Sequence, residues 1–291
     1  MDAFNLVEFL AGTAGGVASV LVGHPFDTIK TRLQAQVAHS HELAPLRAAP
    51  RYTSAFHALA TILREERVVG LFRGVTSPMI GVAAMNAAVF GFYDAALHAL
   101  QGSRYNVAEP TLWETTAAGV VSGVGTALVT APVDLLKIQQ QVDASTAGRP
   151  SYSAILRRIW SAGGIRGVYQ GFLVTALRDT GYGPYFGSYA LINHALQRMH
   201  PESPLAAWEY AVSGAIAGIV GWLSTYWVDV IKTQVQAQPP ENRRSIADIA
   251  YRTYMSGGTR AFFAGVGPTV LRAIPANAAL FVVYEGVRRA L

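Results

Sequence analysis

The chain has 291 residues, of which 51% are hydrophobic and only 14% are charged, and its formal net charge is +5. Soluble domains carry about 25% charged residues, so this composition indicates a membrane protein. The absence of cysteine excludes disulfides, thiolate metal sites and cysteine nucleophiles. The basic residues form no nucleic-acid-binding arm, and we expect the positive charge to meet anionic lipid headgroups.

Six stretches of about membrane-spanning length contain almost no charged residue. They cover residues 9–26, 74–93, 115–133, 171–197, 210–228 and 261–284. The fourth stretch is interrupted by Arg178 and Asp179, and the sixth by Arg272. Because about 20 apolar residues cross a bilayer as a helix, we predict six transmembrane helices. A large soluble helical core is disfavoured, because its helices would show a charged face.

A ten-residue motif ends each odd-numbered stretch, starting at Pro25, Pro132 and Trp227. Each copy has an aspartate, a lysine three residues later and a glutamine four residues after that. These residues are Asp27, Lys30, Gln34, Asp134, Lys137, Gln141, Asp229, Lys232 and Gln236. Three copies indicate a threefold repeat. The prolines should kink the first and third helices, and a kink at Trp227 must have another cause or be smaller.

Other features also recur three times. Glycines four residues apart, which let a neighbouring helix approach closely, occur on each odd helix as Gly12/Gly16, Gly119/Gly123 and Gly214/Gly218. Amphipathic segments at 54–66, 153–161 and 245–255 predict short surface helices. We therefore predict an all-α membrane protein of three parallel two-helix repeats, at residues 1–101, 109–199 and 204–291, with pseudo-threefold symmetry.

The motif resembles the signature of the mitochondrial carrier family (solute carrier family 25), Pro-x-[Asp/Glu]-x-x-[Lys/Arg]-x-[Lys/Arg]-x-Gln. The first copy is complete, whereas Gln139, Trp227 and Gln234 depart from it in the others. Residues 23–28 and the surroundings of Arg178 and Arg272 look most like the carnitine/acylcarnitine and amino-acid carrier branch.

The resemblance implies six helices around a central cavity in the mitochondrial inner membrane, with both termini in the intermembrane space. A peroxisomal membrane is the alternative location. It also implies a monomer that binds a small-molecule substrate and contacts cardiolipin. We expect no nucleic-acid partner, no cofactor, no metal and no enzymatic activity, because no catalytic arrangement, metal-ligand spacing or phosphate loop stands out.

The resemblance further implies a matrix gate made of interhelical pairs between the motif aspartates and lysines. The pairs would be Asp27–Lys137, Asp134–Lys232 and Asp229–Lys30, braced by Gln34, Gln141 and Gln236. Ordinary interfacial charge pairs are the alternative, but charges on membrane helices are rare and usually functional.

A second gate, on the cytoplasmic side, would use an aromatic-acid-x-x-basic pattern on the even helices. The residues at these places are Tyr93, Asp94, Leu97, Tyr189, Ala190, Asn193, Tyr284, Glu285 and Arg288. Because Leu97, Ala190 and Asn193 carry no charge, no complete salt bridge remains. We predict a weak gate that closes mainly by packing and through the tyrosines.

Equivalent heights on the three even helices locate the candidate substrate site. Counted from the glycine that opens each even helix, Gly81, Arg178 and Arg272 share one level, and Val82 and Asp179 share the next. Met85 and Tyr182 lie one turn further along. A structural role would tend to repeat threefold, whereas an asymmetric substrate needs asymmetric residues. His24 is either a satisfied interfacial histidine or a further cavity contact.

The charges at this level suggest the chemistry of the substrate. Arg178 and Arg272 can grip a carboxylate, and Asp179 can oppose a cationic nitrogen. A quaternary ammonium could also lie on the rings of Tyr182, Trp222 or Tyr226.

We therefore predict an alternating-access exchanger of a small zwitterion, such as carnitine, an acylcarnitine or an amino acid. Met85 stands where carriers of basic amino acids may place an acid, which favours carnitine esters or neutral amino acids. The alternatives are a carrier of basic amino acids or other carboxylates, and a proton or fatty-acid-anion leak protein of the same fold.

Overall fold

The computed structural model describes residues 6–39, 52–142, 151–199, 201, 203–239 and 243–290. Within these residues the chain is helical and contains no β-strand. The α-helices are α1 (Leu6–His39), α2 (Ala55–Leu71), α3 (Thr76–Gln101), α4 (Leu112–Val142), α5 (Tyr152–Val168), α6 (Phe172–Asp179), α7 (Tyr182–Met199), α8 (Ala207–Ser224), α9 (Tyr226–Ala237), α10 (Ile246–Gly257) and α11 (Val266–Ala290). Short 3-10 segments lie at Gly102–Arg104 and Gly258–Phe263.

The six predicted spans correspond to α1, α3, α4, α6 with α7, α8 with α9, and α11. By length and hydropathy, three helical stretches of the described chain qualify as spans on their own: Thr76–Arg104, Leu112–Val142 and Ile246–Arg288. The pair α8 and α9 adds a fourth if it is one bent span. Helices α6 and α7 are separated by Thr180 and Gly181, directly after the charged pair that interrupts this stretch in the sequence.

The predicted surface helices are present as α2, α5 and α10. Each begins after a serine, at Ser54, Ser151 and Ser245, whose Oγ accepts a hydrogen bond from the backbone N–H three residues later. Such caps satisfy an amide that would otherwise lack a partner at the first turn. The second of these helices starts at residue 152, slightly earlier than the predicted segment.

The fifth span is bent although its signature lacks the proline. Helices α8 and α9 meet at Thr225 with an angle of 60° between them, although Trp227 replaces the signature proline. Of the two alternatives, a cause other than proline is present at this bend. Thr225 leaves helical geometry at φ −118° and ψ 12°, which ends α8 without a proline.

A backbone bend recurs in or directly after the last turns of each surface helix. Arg67, Gly164 and Gly258 all adopt positive φ, at 59°, 51° and 62°. Two of these residues are glycines, for which positive φ carries no steric penalty. Arg67, with ψ −167°, occupies a region that is essentially restricted to glycine. Repeat 1 therefore holds a strained bend that repeats 2 and 3 form with glycine.

The chain forms two compact units that cut across the repeats. The first unit comprises Met1–Ala83, Pro132–Gly171 and Thr233–Leu291, and the second comprises Ala84–Ala131 and Phe172–Lys232. Each of the three predicted repeats contributes residues to both units.

Close helix packing in the second unit depends on Gly123 of α4. A Cβ at this position would lie 1.9 Å from the backbone oxygen of Asp179, a distance that no side chain can occupy. By contrast, a Cβ at Gly12, Gly214 or Gly218 would meet nothing within 4 Å. A Cβ at Gly119 would likewise lie 2.7 Å from the Tyr182 backbone oxygen. The predicted close approach therefore occurs at the Gly119/Gly123 pair, and Gly123 holds the backbone of Asp179 against α4.

Candidate substrate site and gates

The first predicted gate pair lies in the first unit. Lys137 Nζ of α4 donates to Asp27 Oδ2 of α1 at 2.6 Å, and the two side chains are 15% and 14% exposed. Asp134 and Lys30 belong to the first unit, whereas Lys232 and Asp229 belong to the second. The pairs Asp134–Lys232 and Asp229–Lys30 therefore remain predictions.

The three motif glutamines lie in the first unit and bond to other repeats. Gln34 donates to the Ala264 carbonyl at 3.1 Å, and Gln236 donates to the Gln170 carbonyl at 3.4 Å. Gln141 donates to Thr28 Oγ1 at 3.1 Å. These contacts link repeat 1 to repeat 3, repeat 3 to repeat 2 and repeat 2 to repeat 1. The amides thus connect the three repeats. Gln141 reaches the first signature copy, whereas Ala264 and Gln170 lie outside the signatures. A direct bracing of the gate charges remains a prediction.

Arg272, a predicted substrate residue on α11, also contacts a gate residue. Its Nε lies 3.2 Å from Asp27 Oδ1, so Asp27 lies between Arg272 and Lys137. The Arg272 side chain is 25% exposed. Sequence reasoning placed the arginine and the aspartate in different functions, and the structure brings them together.

The other two charged candidates form a buried group in the second unit. Asp179 accepts a hydrogen bond from Thr130 Oγ1 at 2.8 Å and lies 2.9 Å from Arg178 Nη1. The Arg178 Nε lies 3.7 Å from Asp229 Oδ1, and its Cζ lies 5.7 Å from the centroid of the Trp222 ring. One face of Trp222 is thus taken by an arginine of the protein itself.

The remaining substrate candidates differ in their accessibility. Gly81 and Val82 are buried in the first unit, while Met85 and Tyr182 are half-buried in the second. His24 is fully buried, and its Nε2 lies 2.7 Å from the Arg73 carbonyl oxygen. Its Nδ1 is buried and has no hydrogen-bond partner among the described residues, and its role as a cavity contact remains a prediction.

A cavity of about 840 Å³ lies in the second unit, within the size range of small-molecule sites. Aromatic rings dominate its lining: Phe90, Tyr93, Tyr182, Tyr185, Phe186, Tyr189 and Tyr210. Glu109 contributes a carboxylate, and none of the described residues that line the cavity is lysine or arginine. The lining therefore favours cationic or apolar groups over phosphates.

The cavity connects a substrate candidate with candidates for the cytoplasmic gate. Tyr182 lines it, as do Tyr93, Tyr189, Ala190 and Asn193 of the predicted gate. The ring centroids of Tyr93 and Phe186 are 4.5 Å apart. Aromatic packing thus occurs among these residues, and their role as a gate remains a prediction.

Asp94, the predicted gate acid of α3, is exposed and accepts a hydrogen bond from the Tyr105 hydroxyl. This bond raises the pKa of Tyr105 above its ordinary value. Leu97 is buried in a cluster with Ala118 of α4. Of the gate residues on α11, Tyr284 is half-buried and Arg288 is exposed, and the Glu285 side chain lies outside the described residues.

Sequence reasoning missed a buried charge cluster in the first unit. Arg32 of α1 binds Glu66 of α2 through both of its terminal nitrogens, at 2.5 Å and 2.9 Å, and Arg73 lies 3.1 Å from the same carboxylate. Arg32 and Glu66 are only 5% and 8% exposed. The available signal was the signature itself, because Arg32 is its second basic residue.

In the other two repeats, the residues equivalent to Arg32 also connect the signature helix to the surface helix, but they do so without an ion pair. Gln139 accepts a hydrogen bond from Arg158 of α5 at 2.9 Å. Gln234 accepts one from Thr253 of α10 at 2.8 Å. The two departures from the signature are therefore accommodated by hydrogen bonds to a neutral amide oxygen, from a guanidinium in one repeat and from a hydroxyl in the other.

Three structural repeats, apolar helices and buried ion pairs at the signature motifs define a membrane transport protein. The family model described as "Mitochondrial carrier protein" matches residues 2–104, 108–200 and 203–291. The chain belongs to the mitochondrial carrier family, and the predicted three-repeat, all-α membrane fold is confirmed.

Curated relatives cover nearly the whole chain. The mitochondrial basic amino acids transporters of Bos taurus and Homo sapiens are both 37% identical to it, over 94% of this chain and 89% and 87% of their own lengths. The mitochondrial carnitine carrier of Saccharomyces cerevisiae is 32% identical, over 97% of this chain and 86% of its own. The motif resemblance pointed to carnitine carriers and amino-acid carriers. Relatives of both kinds are thus found among the similar proteins.

Proposed function

We propose that the protein exchanges a small zwitterionic metabolite across the mitochondrial inner membrane by alternating access. The candidates are carnitine, acylcarnitines and amino acids. The observation that carries the proposal is the aromatic cavity with one carboxylate and no lysine or arginine among its described lining residues. Such a cavity accepts a solute with a cationic nitrogen and disfavours nucleotides and dicarboxylates.

Each unit also holds a charged residue suited to one end of such a solute. Arg272 is partly exposed and can bind a carboxylate. Asp179, three residues before the cavity-lining Tyr182, can attract the cationic nitrogen when it exchanges its contact with Arg178. Of the three rings proposed for a quaternary ammonium, Tyr182 lines the cavity, whereas Tyr226 is buried and Trp222 faces Arg178.

Transport of basic amino acids is the second candidate, and the 37% identity to two such transporters favours it. Met85 leaves the second helix without an acid at the expected level, but Glu109 lines the same cavity. A lysine or arginine molecule bound as substrate could place its charged side chain near Glu109. If so, Glu109→Gln lowers uptake of basic amino acids more than it lowers uptake of carnitine.

The proposal extends to features implied by the family resemblance. The motif aspartates and lysines close the matrix gate, and the tyrosines of α3, α7 and α11 close the cytoplasmic side. The termini face the intermembrane space, the protein works as a monomer in contact with cardiolipin, and the repeat boundaries are 1–101, 109–199 and 204–291.

Uptake into proteoliposomes tests the substrate class. The panel contains carnitine, acylcarnitines, neutral and basic amino acids, dicarboxylates and nucleotides. We expect uptake of a zwitterion and a loss of at least about tenfold in Arg272→Ala, because a hydrogen bond to a charged group contributes about 1.5–3 kcal/mol. Arg260→Ala, at an exposed position outside the helices that carry the site, is the matched control. Uptake restricted to nucleotides or dicarboxylates would refute the proposal.

A further inference from the structure

We propose that Glu109 forms an entry site for cationic solutes at one end of the aromatic cavity in the second unit. Its carboxylate holds a cationic nitrogen before the solute moves along the cavity toward Tyr182. This inference rests on the proposed function in that the transported solute carries a cationic nitrogen, and it adds a step that belongs to one side of the membrane. Glu109 lowers the KM for a cation that arrives from the side of the α3–α4 connection, without changing the maximal rate.

The cavity is elongated along α7. Its lining on this helix runs from Tyr182 to Gln197, which spans about 22 Å at a helical rise of about 1.5 Å per residue. Leu205, in the connection that follows α7, also lines the cavity and marks the end near Gln197. Tyr182 therefore lies at the opposite end.

The direction of α4 places Glu109 at the C-terminal end of α7. A Cβ at Gly187 would touch the side chain of Thr116, near the start of α4. Further along α4, a Cβ at Gly123 would touch the backbone of Asp179, which precedes α7. The two helices are therefore antiparallel, and Glu109 comes just before α4 begins. A solute that enters beside Glu109 meets its carboxylate first and the far end of the cavity last.

The α3–α4 connection holds Glu109 in place through hydrogen bonds on both of its sides. Before it, Gln101 Nε2 donates to the Ala108 carbonyl at 3.4 Å. After it, the Thr111 N–H donates to Glu114 Oε2 at 2.8 Å, and the Glu114 N–H donates to Thr111 Oγ1 at 3.2 Å. The backbone around Glu109 is thus arranged before a solute arrives, so that binding does not carry the entropy cost of ordering a loop.

Glu109 differs from three other acidic residues of the second unit. Asp94 accepts a hydrogen bond from a tyrosine hydroxyl, and Glu114 forms an ion pair with an arginine. Glu209 accepts a hydrogen bond from the Ala206 N–H at 2.7 Å. Glu109 is exposed, and among the residues that the structure describes it forms no ion pair or hydrogen bond. Its carboxylate can therefore bind a solute without giving up a contact of the protein.

The surroundings of Glu109 favour a cation that carries N–H groups. A guanidinium or an ammonium can donate to the carboxylate, and the tyrosine rings of the lining can hold its charge by cation–π contact. Because the carboxylate is exposed, the interaction is weak and is screened by salt. It acts mainly by raising the rate at which cations enter the cavity. Arginine and lysine should gain more from it than carnitine, whose quaternary nitrogen has no N–H group.

The first test measures arginine uptake from each side of proteoliposomes that contain uniformly oriented protein. In Glu109→Gln at low salt, we expect the KM for arginine to rise at least about threefold from the side of the α3–α4 connection. The maximal rate and the KM from the opposite side should not change. In about 1 M salt, where the Debye length is about 3 Å, the difference should disappear.

Glu65→Gln, which removes an exposed carboxylate outside the cavity, is the matched control for the change in charge. Glu109→Asp, which keeps the carboxylate, should retain most of the affinity of the wild type. An unchanged KM in Glu109→Gln would overturn the proposal. So would a rise of the same size on both sides of the membrane, or in both Glu109→Gln and Glu65→Gln.

The second test does not require transport. Thermal unfolding of the detergent-purified protein is measured with agmatine, the decarboxylated form of arginine, which carries two cationic groups and no carboxylate. Because a ligand that binds the folded state raises the Tm, agmatine should stabilise the wild type and Glu65→Gln, and its effect should fall by at least about half in Glu109→Gln. Equal shifts in all three proteins would overturn the entry site. A shift that depends on Glu109, together with failure of the uptake panel, would instead count against the proposed substrate class.

Discussion

The two compact units keep their helices together by different kinds of interaction. In the first unit, a buried ion pair joins α1 to α2, and an amide–carbonyl bond joins α1 to the segment before α11, as shown by Arg32–Glu66 and Gln34–Ala264. In the second unit, a backbone contact at Gly123 and neighbouring rings around a cavity have this role. The first unit should therefore be sensitive to the loss of charge, and the second to added volume.

The largest loss of stability is expected from Glu66→Ala in the first unit. This change leaves Arg32 buried without the carboxylate that it binds through two nitrogens. Removing one partner of a buried pair costs about 3–5 kcal/mol. Glu65→Ala, which removes an exposed carboxylate from the same helix, should cost less than about 1 kcal/mol. Thermal unfolding in detergent measures both variants, and equal Tm values would contradict the importance of the cluster.

Gly123→Ala tests the second unit by adding a single methyl group. Because the new Cβ would lie 1.9 Å from the Asp179 backbone oxygen, the helices must separate. Overpacking of this kind costs about 1–3 kcal/mol, and transport should fall as Asp179 moves. Gly214→Ala offers the control, since its Cβ meets nothing within 4 Å and alanine is favoured over glycine in a helix. A Gly123→Ala protein as stable and active as Gly214→Ala would show that the units do not differ in this way.

A smaller change in stability, this time an increase, is expected at the strained bend of the first unit. Arg67→Gly gives repeat 1 the residue type that repeats 2 and 3 already have at Gly164 and Gly258. Relief of the strain should exceed the entropy cost of glycine and raise the stability by about 1 kcal/mol. Arg64→Gly, inside the same helix, should lower the stability by about the same amount. A lower Tm for Arg67→Gly would mean that Arg67 contributes contacts that outweigh its backbone strain.

The sequence predicted those parts of the molecule that depend on periodicity. The spans, the surface helices and the three signature copies were all found from patterns of apolar, small and charged residues. The pair Asp27–Lys137 followed from the family resemblance and occurs in the structure. Such features could be predicted because they repeat, and each copy supports the interpretation of the others.

The remaining features depend on how each helix is rotated and bent, which a pattern of residues does not determine. Arg272 and Asp27 lie at opposite ends of the sequence and were assigned to different functions, yet they form a contact. The glycine pairs looked equivalent in all three repeats, but Gly123 meets a neighbouring backbone while Gly12 and Gly214 meet nothing within 4 Å. The bend at Thr225 arises without the proline that would have indicated it.

The smallest effect is expected in the second unit at Tyr105, where a hydrogen bond lies on the surface. Tyr105→Phe removes the bond to Asp94 but keeps the ring that lies 4.9 Å from the ring of His98. We expect a slight decrease in Tm at neutral pH, because an exposed bond competes with water. The Asp94 carboxylate also becomes available to the cytoplasmic gate.

The pH dependence distinguishes this bond from a general effect of the substitution. The bond raises the pKa of Tyr105, so its contribution is complete below the ordinary tyrosine pKa of about 10 and is lost as the pH rises through the higher folded-state value. The difference in Tm between wild type and Tyr105→Phe should therefore disappear at strongly alkaline pH. Tyr251→Phe, at another exposed tyrosine, should show no such trend. A difference that persists at alkaline pH would mean that Tyr105 stabilises the second unit by packing alone.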